Sequence, residues 1–280
     1  VIEPATRRLA VLGSPISHSR SPDLHAAAYR VLGLPWVYGR VEVGSGGLED
    51  FLSGLDDSWL GLSLTMPLKR EVLPLLSDRT GTVELTGAAN TVLLDSGRLH
   101  GFNTDVGGIV GALADHGVRT VGTAHLIGTG ATAASALVAL ARLGATRVLV
   151  SGRRSEGVAE LGRLGVRLGV LTEGRLFGEP MAMRPDLVVN TLPGGIEPDD
   201  IPGADHGEVL LEVPYDPWPT SRVARWQSRD AEVVNGLEML LHQAVAQVRV
   251  FVAGHETAPL EREDEVVAAM REAVGLGVGG

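Results

Sequence analysis

The chain has 280 residues, enough for one large domain or two ordinary ones, and its 44% hydrophobic and 21% charged content is that of a folded globular protein. Its 34 acidic and 24 basic side chains leave a formal charge of −10, which argues against nucleic acid as a partner, because phosphate binding needs a basic footprint. The absence of cysteine excludes disulfides, thiolate catalysis and Cys-ligated zinc; no apolar run has membrane-spanning length and Val1 to Arg8 leads into no secretory signal, so a cytoplasmic protein is expected, with no membrane partner.

Leu9 to Leu12 is a short apolar run ending at Gly13, as a buried strand would be. Ser21 before Pro22 predicts a helix N-cap with Pro at the first helical position. Leu24, Ala27, Ala28, Val31 and Leu32 then recur at helical spacing, and Gly33 ends the helix. Trp36 to Val43 and Trp59 to Leu64 are expected strands, each followed by a helix, a βαβ pattern that predicts a mostly parallel sheet. Asp105 to His116 is an expected linking helix.

A second βα series begins near Thr123. Its expected strands are Ala124 to Ile127, Arg147 to Ser151, Leu187 to Asn190 and Val209 to Val213; its helices are Ala131 to Leu143 and one near Glu156 to Leu164. Gly236 to Val252 is a long helix with an apolar stripe of Leu237, Leu240, Leu241, Ala244, Val245 and Val248. Gly275 to Gly280 is an expected disordered tail. The expected fold is α/β, with two α/β domains and a cleft between them: 1–104 plus 236–280 binding substrate, and a Rossmann-type domain over 105–235.

Gly128-Thr129-Gly130-Ala131-Thr132-Ala133 is a G-x-G-x-x-A turn between a strand and a helix. Gly128 permits the tight turn, Gly130 lets a pyrophosphate approach the backbone, and Ala133 allows close helix–strand packing. The helix N-terminus adds N–H donors and a positive dipole end. NAD enzymes place a carboxylate about 20 residues further on, at the next strand end, for the ribose 2′-OH. Here that end reads Ser151-Gly152-Arg153-Arg154, and two guanidinium groups suit the 2′-phosphate of NADP.

Four further stretches place polar residues where strands end. They are Ser17-His18-Ser19-Arg20-Ser21-Pro22, Ser63-Leu64-Thr65-Met66-Pro67-Leu68-Lys69, Gly87-Ala88-Ala89-Asn90-Thr91 and Gly101-Phe102-Asn103-Thr104-Asp105. Ser19 and Ser21 could donate to a carboxylate, and Asp105 could cap its helix as well as take part in chemistry. Each alone is more often an ordinary cap, turn or solvated surface group than a functional one.

In order and spacing, these stretches, the glycine turn and Gly236-Leu237-Glu238-Met239-Leu240-Leu241-His242-Gln243-Ala244 resemble the shikimate dehydrogenase family. The resemblance runs from about Leu9 to Val252. It implies reversible reduction of 3-dehydroshikimate to shikimate with NADPH, and hence aromatic amino acid biosynthesis. Ser19 and Ser21 would bind the substrate carboxylate, and Thr65, Asn90 and Gln243 the ring hydroxyls. Ser63 would stand where the family often has an Asn donor, and Tyr215 would line the substrate side. Lys69 and Asp105 would be the catalytic pair, while Thr191 and Gly236 would join the cofactor site. The family commonly has Asn, Thr and a later Arg where this chain has Gly152, Arg154 and Gly157. A quinate/shikimate dehydrogenase using NAD, an aminoshikimate-type variant and a non-catalytic dinucleotide-binding regulatory module are the alternatives. Monomer and homodimer are both open.

Overall fold

In the computed structural model, residues 6–181, 183–198 and 209–277 are described, and the chain divides into two compact units. The first comprises Val1–Thr104 and Leu240–Gly280, the second Asp105–Met239. Val278 to Gly280 of the expected tail lie outside the described residues.

The first unit contains β1 (Arg8–Gly13), α1 (Ser21–Leu32), β2 (Val37–Glu42), α2 (Leu48–Ser53) and β3 (Trp59–Leu64). The short α3 (Leu68–Glu71), β4 (Asp78–Arg79), α4 (Gly81–Thr86), β5 (Thr91–Asp95) and β6 (Arg98–Phe102) follow. They form a six-stranded sheet in the order β2-β1-β3-β5-β6-β4. The expected parallel βαβ pairing holds for β2, β1 and β3, whereas β5 runs antiparallel to both β3 and β6. The β5–β6 reversal comes from a two-residue loop, Ser96-Gly97, whose φ values of 51° and 77° give the twist of a tight hairpin.

In β1 the side chains alternate between two cores. Leu9 and Val11 pack with Leu24, Ala28, Leu241 and Val248 on one face, and Ala10 and Leu12 pack with Leu62, Leu64, Leu68 and Val83 on the other. A strand buried on both faces reads in sequence as a continuous apolar run. The expected N-cap at Ser21 needs correction. Helix α1 begins at Ser21 itself, Arg20 occupies the cap position with φ −93° and ψ 0°, and no side chain caps the end. Arg20 is held there by Asp23 (2.6 Å) and the Ala273 carbonyl (2.9 Å), which moves the helix start one residue upstream of the Pro22 signal.

The second unit contains α5 (Asp105–Asp115), β7 (Thr123–Ile127), α6 (Ala131–Arg142), β8 (Arg147–Gly152), α7 (Ser155–Leu168) and β9 (Leu171–Leu176). It continues through β10 (Leu187–Asn190), β11 (Val209–Glu212), α8 (Ser221–Gln227) and β12 (Val233–Asn235). Its sheet order is β12-β11-β10-β7-β8-β9 and every pairing is parallel. That is the doubly wound dinucleotide-binding order, with the first βα turn at the point where the strand order reverses. Ala133, Ala134, Ala136 and Ala139 are buried on α6, and small side chains let this helix lie close to the sheet. Helix α9 (Gly236–Ala253) follows β12 directly, and α10 (Glu263–Ala273) closes the chain against α1. No helix of the described residues is long and apolar enough to cross a membrane.

Candidate active site

The glycine turn occupies the β7–α6 junction of the second unit. Gly128 has φ +107°, a conformation that L side chains rarely adopt, and a Cβ there would collide with the Thr191 hydroxyl. Thr191 is fixed at the end of β10 by donating both its N–H (2.9 Å) and its hydroxyl (2.8 Å) to the Ile127 carbonyl. Gly130 differs, since a Cβ there would meet nothing within 4 Å. Helix α6 has Gly130 at its cap and no capping side chain, so an open cradle adjoins an uncapped helix N-terminus. These residues fit a dinucleotide pyrophosphate.

Arg153 and Arg154 are exposed at the end of β8, and their guanidinium groups form no ion pair among the described residues. The glycines beside them have a packing cause. A Cβ on Gly152 would lie 2.6 Å from Thr129 Cγ2, and one on Gly157 would lie 2.5 Å from Thr129 Oγ1. The Thr129 side chain therefore fills the space that larger groups at 152 and 157 would take.

Gly236 opens α9. Its N-terminus is capped by Asn235, whose Oδ1 accepts from the Leu237 N–H at 2.9 Å. The junction is tied down by His116, just beyond α5. Its Nδ1 lies 2.5 Å from Glu232 Oε1 and its Nε2 2.8 Å from Glu238 Oε2. Both ring nitrogens face acceptors, so only the imidazolium satisfies both. Burial works to lower the His116 pKa, but the hydrogen bonds and charges of Glu238 and Glu232 outweigh it and hold the group above its ordinary value. A raised folded-state pKa gives stability that is fully present below the unfolded value, about 6.5, and is lost as pH rises through the folded one. Denaturant titrations across pH 6 to 9 should show that loss, and His116→Gln should remove it. An unchanged pH slope in the variant would contradict the clamp.

In the first unit, Asn90 lies at the foot of β5 and is buried. Its Oδ1 accepts from the Thr104 N–H (2.8 Å), and its Nδ2 donates to Thr104 Oγ1 (2.9 Å) and to Gln243 Oε1 (3.2 Å). Gln243 Nε2 donates back to the Leu240 carbonyl at 2.9 Å. Asn90, Thr104 and Gln243 come from three separate sequence motifs and meet in one buried patch. Thr104 was legible only as part of the G-x-N-T-D stretch; nothing in its spacing marked it as the link between the other two.

Ser19 and Ser21 are both buried, and Ser19 Oγ accepts from the Ser21 N–H at 3.4 Å. Arg40 Nε donates to the Ser19 carbonyl at 2.8 Å, bracing this loop from β2. Ser63 is buried too; its hydroxyl accepts from Tyr38 (2.6 Å) and donates to Gln247 Oε1 (2.9 Å). Thr65 follows β3 and is half-buried, with its N–H on the Leu12 carbonyl. Lys69 is half-buried on α3, where its carbonyl accepts the Ala89 N–H at 2.8 Å. In the second unit, Asp105 is buried at the start of α5, and Tyr215 is half-buried in the segment after β11.

Residues 11–92 match the family model of the shikimate dehydrogenase substrate binding domain. A shikimate dehydrogenase (NADP(+)) from Geobacter sp. strain M21 is 35% identical over 262 residues, covering 88% of this chain and 90% of that protein. The shikimate dehydrogenase structure from Mycobacterium tuberculosis superposes with a TM-score of 0.80 at 37% identity, covering 95% of this chain and 99% of that one. The Thermus thermophilus shikimate 5-dehydrogenase in complex with NADP(H) and shikimate gives 0.78 at 28% identity, covering 95% and 99%. The chain belongs to the shikimate dehydrogenase family.

Proposed function

We propose that this protein is an NADP-dependent shikimate dehydrogenase that interconverts 3-dehydroshikimate and shikimate. The observation carrying this reading is the convergence of Asn90, Thr104 and Gln243, from three distant stretches, into one hydrogen-bonded patch. An alcohol-rich, non-aromatic ring is recognised by such fixed amide and hydroxyl groups, whose polarity would otherwise be costly to bury.

Bound NADPH would supply the hydride, held by the turn from Gly128 to Ala133, with Thr191 and Gly236 lining its site. The remaining work falls to this chain's side chains. Ser19 and Ser21 bind the substrate carboxylate; Thr65, Asn90 and Gln243 orient the ring hydroxyls, with Ser63 and Tyr215 on the substrate side. The Lys69 ammonium stabilises negative charge developing on the carbonyl oxygen and passes it a proton, while Asp105 orients the ammonium. Arg153 and Arg154 receive the 2′-phosphate. The test is steady-state oxidation of shikimate with NADP. Complete absence of turnover would favour the regulatory-module alternative.

The Thr129 contacts lead to a cofactor prediction. Gly157→Arg alone should weaken NADP binding, because Thr129 occupies the space its side chain needs. Combined with Thr129→Gly, the new guanidinium gains room and should tighten NADP about tenfold relative to the Gly157→Arg single variant, as one charge-assisted hydrogen bond would. Equal Kd values for single and double variants, by fluorescence titration, would contradict the packing explanation.

A further inference from the structure

Asn90 also adjoins a cluster of buried polar side chains of which only Ser63 has a place in the proposed reaction. Its centre is Gln247, 1% exposed on α9, one helical turn after Gln243. Gln247 Oε1 accepts from Ser63 Oγ at 2.9 Å and lies 3.1 Å from His25 Nε2. Its Nε2 donates to Thr91 Oγ1 at 3.1 Å and to the Asn90 carbonyl at 3.4 Å. The Thr91 hydroxyl in turn donates to Asn90 Oδ1 at 2.9 Å.

With Gln247 Oε1 toward Ser63 and His25 and Nε2 toward Thr91, the remaining proton directions follow from one another. Gln247 Oε1 can only accept, so His25 carries its proton on Nε2, and Nδ1 accepts from the Tyr29 hydroxyl at 3.0 Å. Burial pushes the His25 pKa down to about 3, against a smaller opposing effect of the Gln247 hydrogen bond, so the ring stays neutral. His25 also stacks on Tyr38 at 3.9 Å between centroids, and Tyr38 donates to Ser63. The hydroxyl of Ser63 is thus engaged on both its donor and its principal acceptor side within this cluster.

We propose that Gln247 is a positioning residue of the substrate site, acting through Thr91 to fix the orientation of the Asn90 amide. Asn90 can flip its amide at little cost unless each end has a committed partner. Thr91, carrying a proton that Gln247 leaves it free to donate, is the second donor on Oδ1 beside the Thr104 N–H, and together they aim Nδ2 at Thr104 Oγ1 and Gln243. A Gln at position 247 satisfies acceptor and donor demands at once, whereas an apolar side chain would leave Ser63, His25 and Thr91 each short of a partner. This inference rests on the substrate reading proposed above.

The test uses Gln247→Met and the near-isosteric Thr91→Val in the full-length enzyme. Wild-type turnover of shikimate with NADP is measured first, and its absence would refute the substrate reading itself. With turnover present, each variant should raise the shikimate KM about tenfold, the equivalent of one lost hydrogen bond. kcat and the NADP Kd should stay within about twofold, and the double variant should be no worse than the singles, since both cut the same link. Thr91→Val serves alone if Gln247→Met fails to fold. An unchanged shikimate KM, additive effects in the double variant, or a parallel loss of NADP affinity would each overturn the positioning role.

Discussion

Lys69→Ala is expected to lower kcat about a thousandfold, within the range spanned by loss of a general acid, while the shikimate Kd changes by less than about threefold. The asymmetry follows from where charge appears. In the ground state the substrate oxygen is a neutral carbonyl or hydroxyl, and an ammonium beside it contributes little to binding. As hydride moves, that oxygen becomes an alkoxide, and only then does a fixed positive charge have a full partner. Helix α3 is short, but the Ala89 N–H bonded to the Lys69 carbonyl ties it to the segment leading to Asn90. Loss of the side chain should therefore leave this backbone link and the fold intact. Separate measurement of kcat and shikimate Kd checks the claim, and a variant with near-wild-type turnover would remove Lys69 from the chemistry.

Gly236→Ala should abolish NADP binding and reduce stability by on the order of 3 kcal/mol, the upper part of the usual overpacking range. A Cβ at this position would collide with the Val213 carbonyl oxygen, lying 2.6 Å from its carbon and 2.8 Å from the Glu212 carbonyl oxygen. Both obstacles are backbone at the end of β11, beside β12 in the sheet, so neither can rotate away as a side chain would. Relief would require moving β12 away from β11 or shifting the start of α9, which Asn235 and the His116 clamp oppose. Thermal melts with and without NADP read both effects. A variant with wild-type Tm and NADP affinity would show that the junction yields more easily than its packing indicates.

Much of this molecule was legible before folding was considered. Four parallel strands of the second unit, β7, β8, β10 and β11, are short apolar runs bounded by turns, and their glycine turn lies where the doubly wound order reverses, whereas β9, with its polar Thr-Glu-Gly-Arg, and the three-residue β12 carry no such signal. The β5–β6 hairpin was not legible, because Ser96-Gly97 is a weaker turn signal than Asn-Gly and the flanking residues mix Thr, Leu, Arg and His without clean alternation. The start of α1 was displaced by tertiary contacts of Arg20 that local capping rules cannot contain.

The site shows the same division. Asn90 and Gln243 could be singled out from their motifs, yet their mutual hydrogen bond depends on a register between β5 and α9 that no local pattern encodes. Gln247 has a trace in sequence, as a second amide one turn beyond Gln243 on an otherwise apolar stripe. Its partners His25, Ser63 and Thr91 lie on three other segments. The glycines at 152 and 157, departures from the family's commoner loop, gain their cause only from the Thr129 side chain packed against both.

Substrate and cofactor choice are tested together by a steady-state comparison of shikimate and quinate oxidation, each with NADP and with NAD. Shikimate with NADP should give the highest kcat/KM of the four combinations, by at least about tenfold, the discrimination expected of one well-placed polar contact. Faster turnover of quinate with NAD would contradict both the substrate reading built on Asn90 and Gln243 and the cofactor reading built on Arg153 and Arg154.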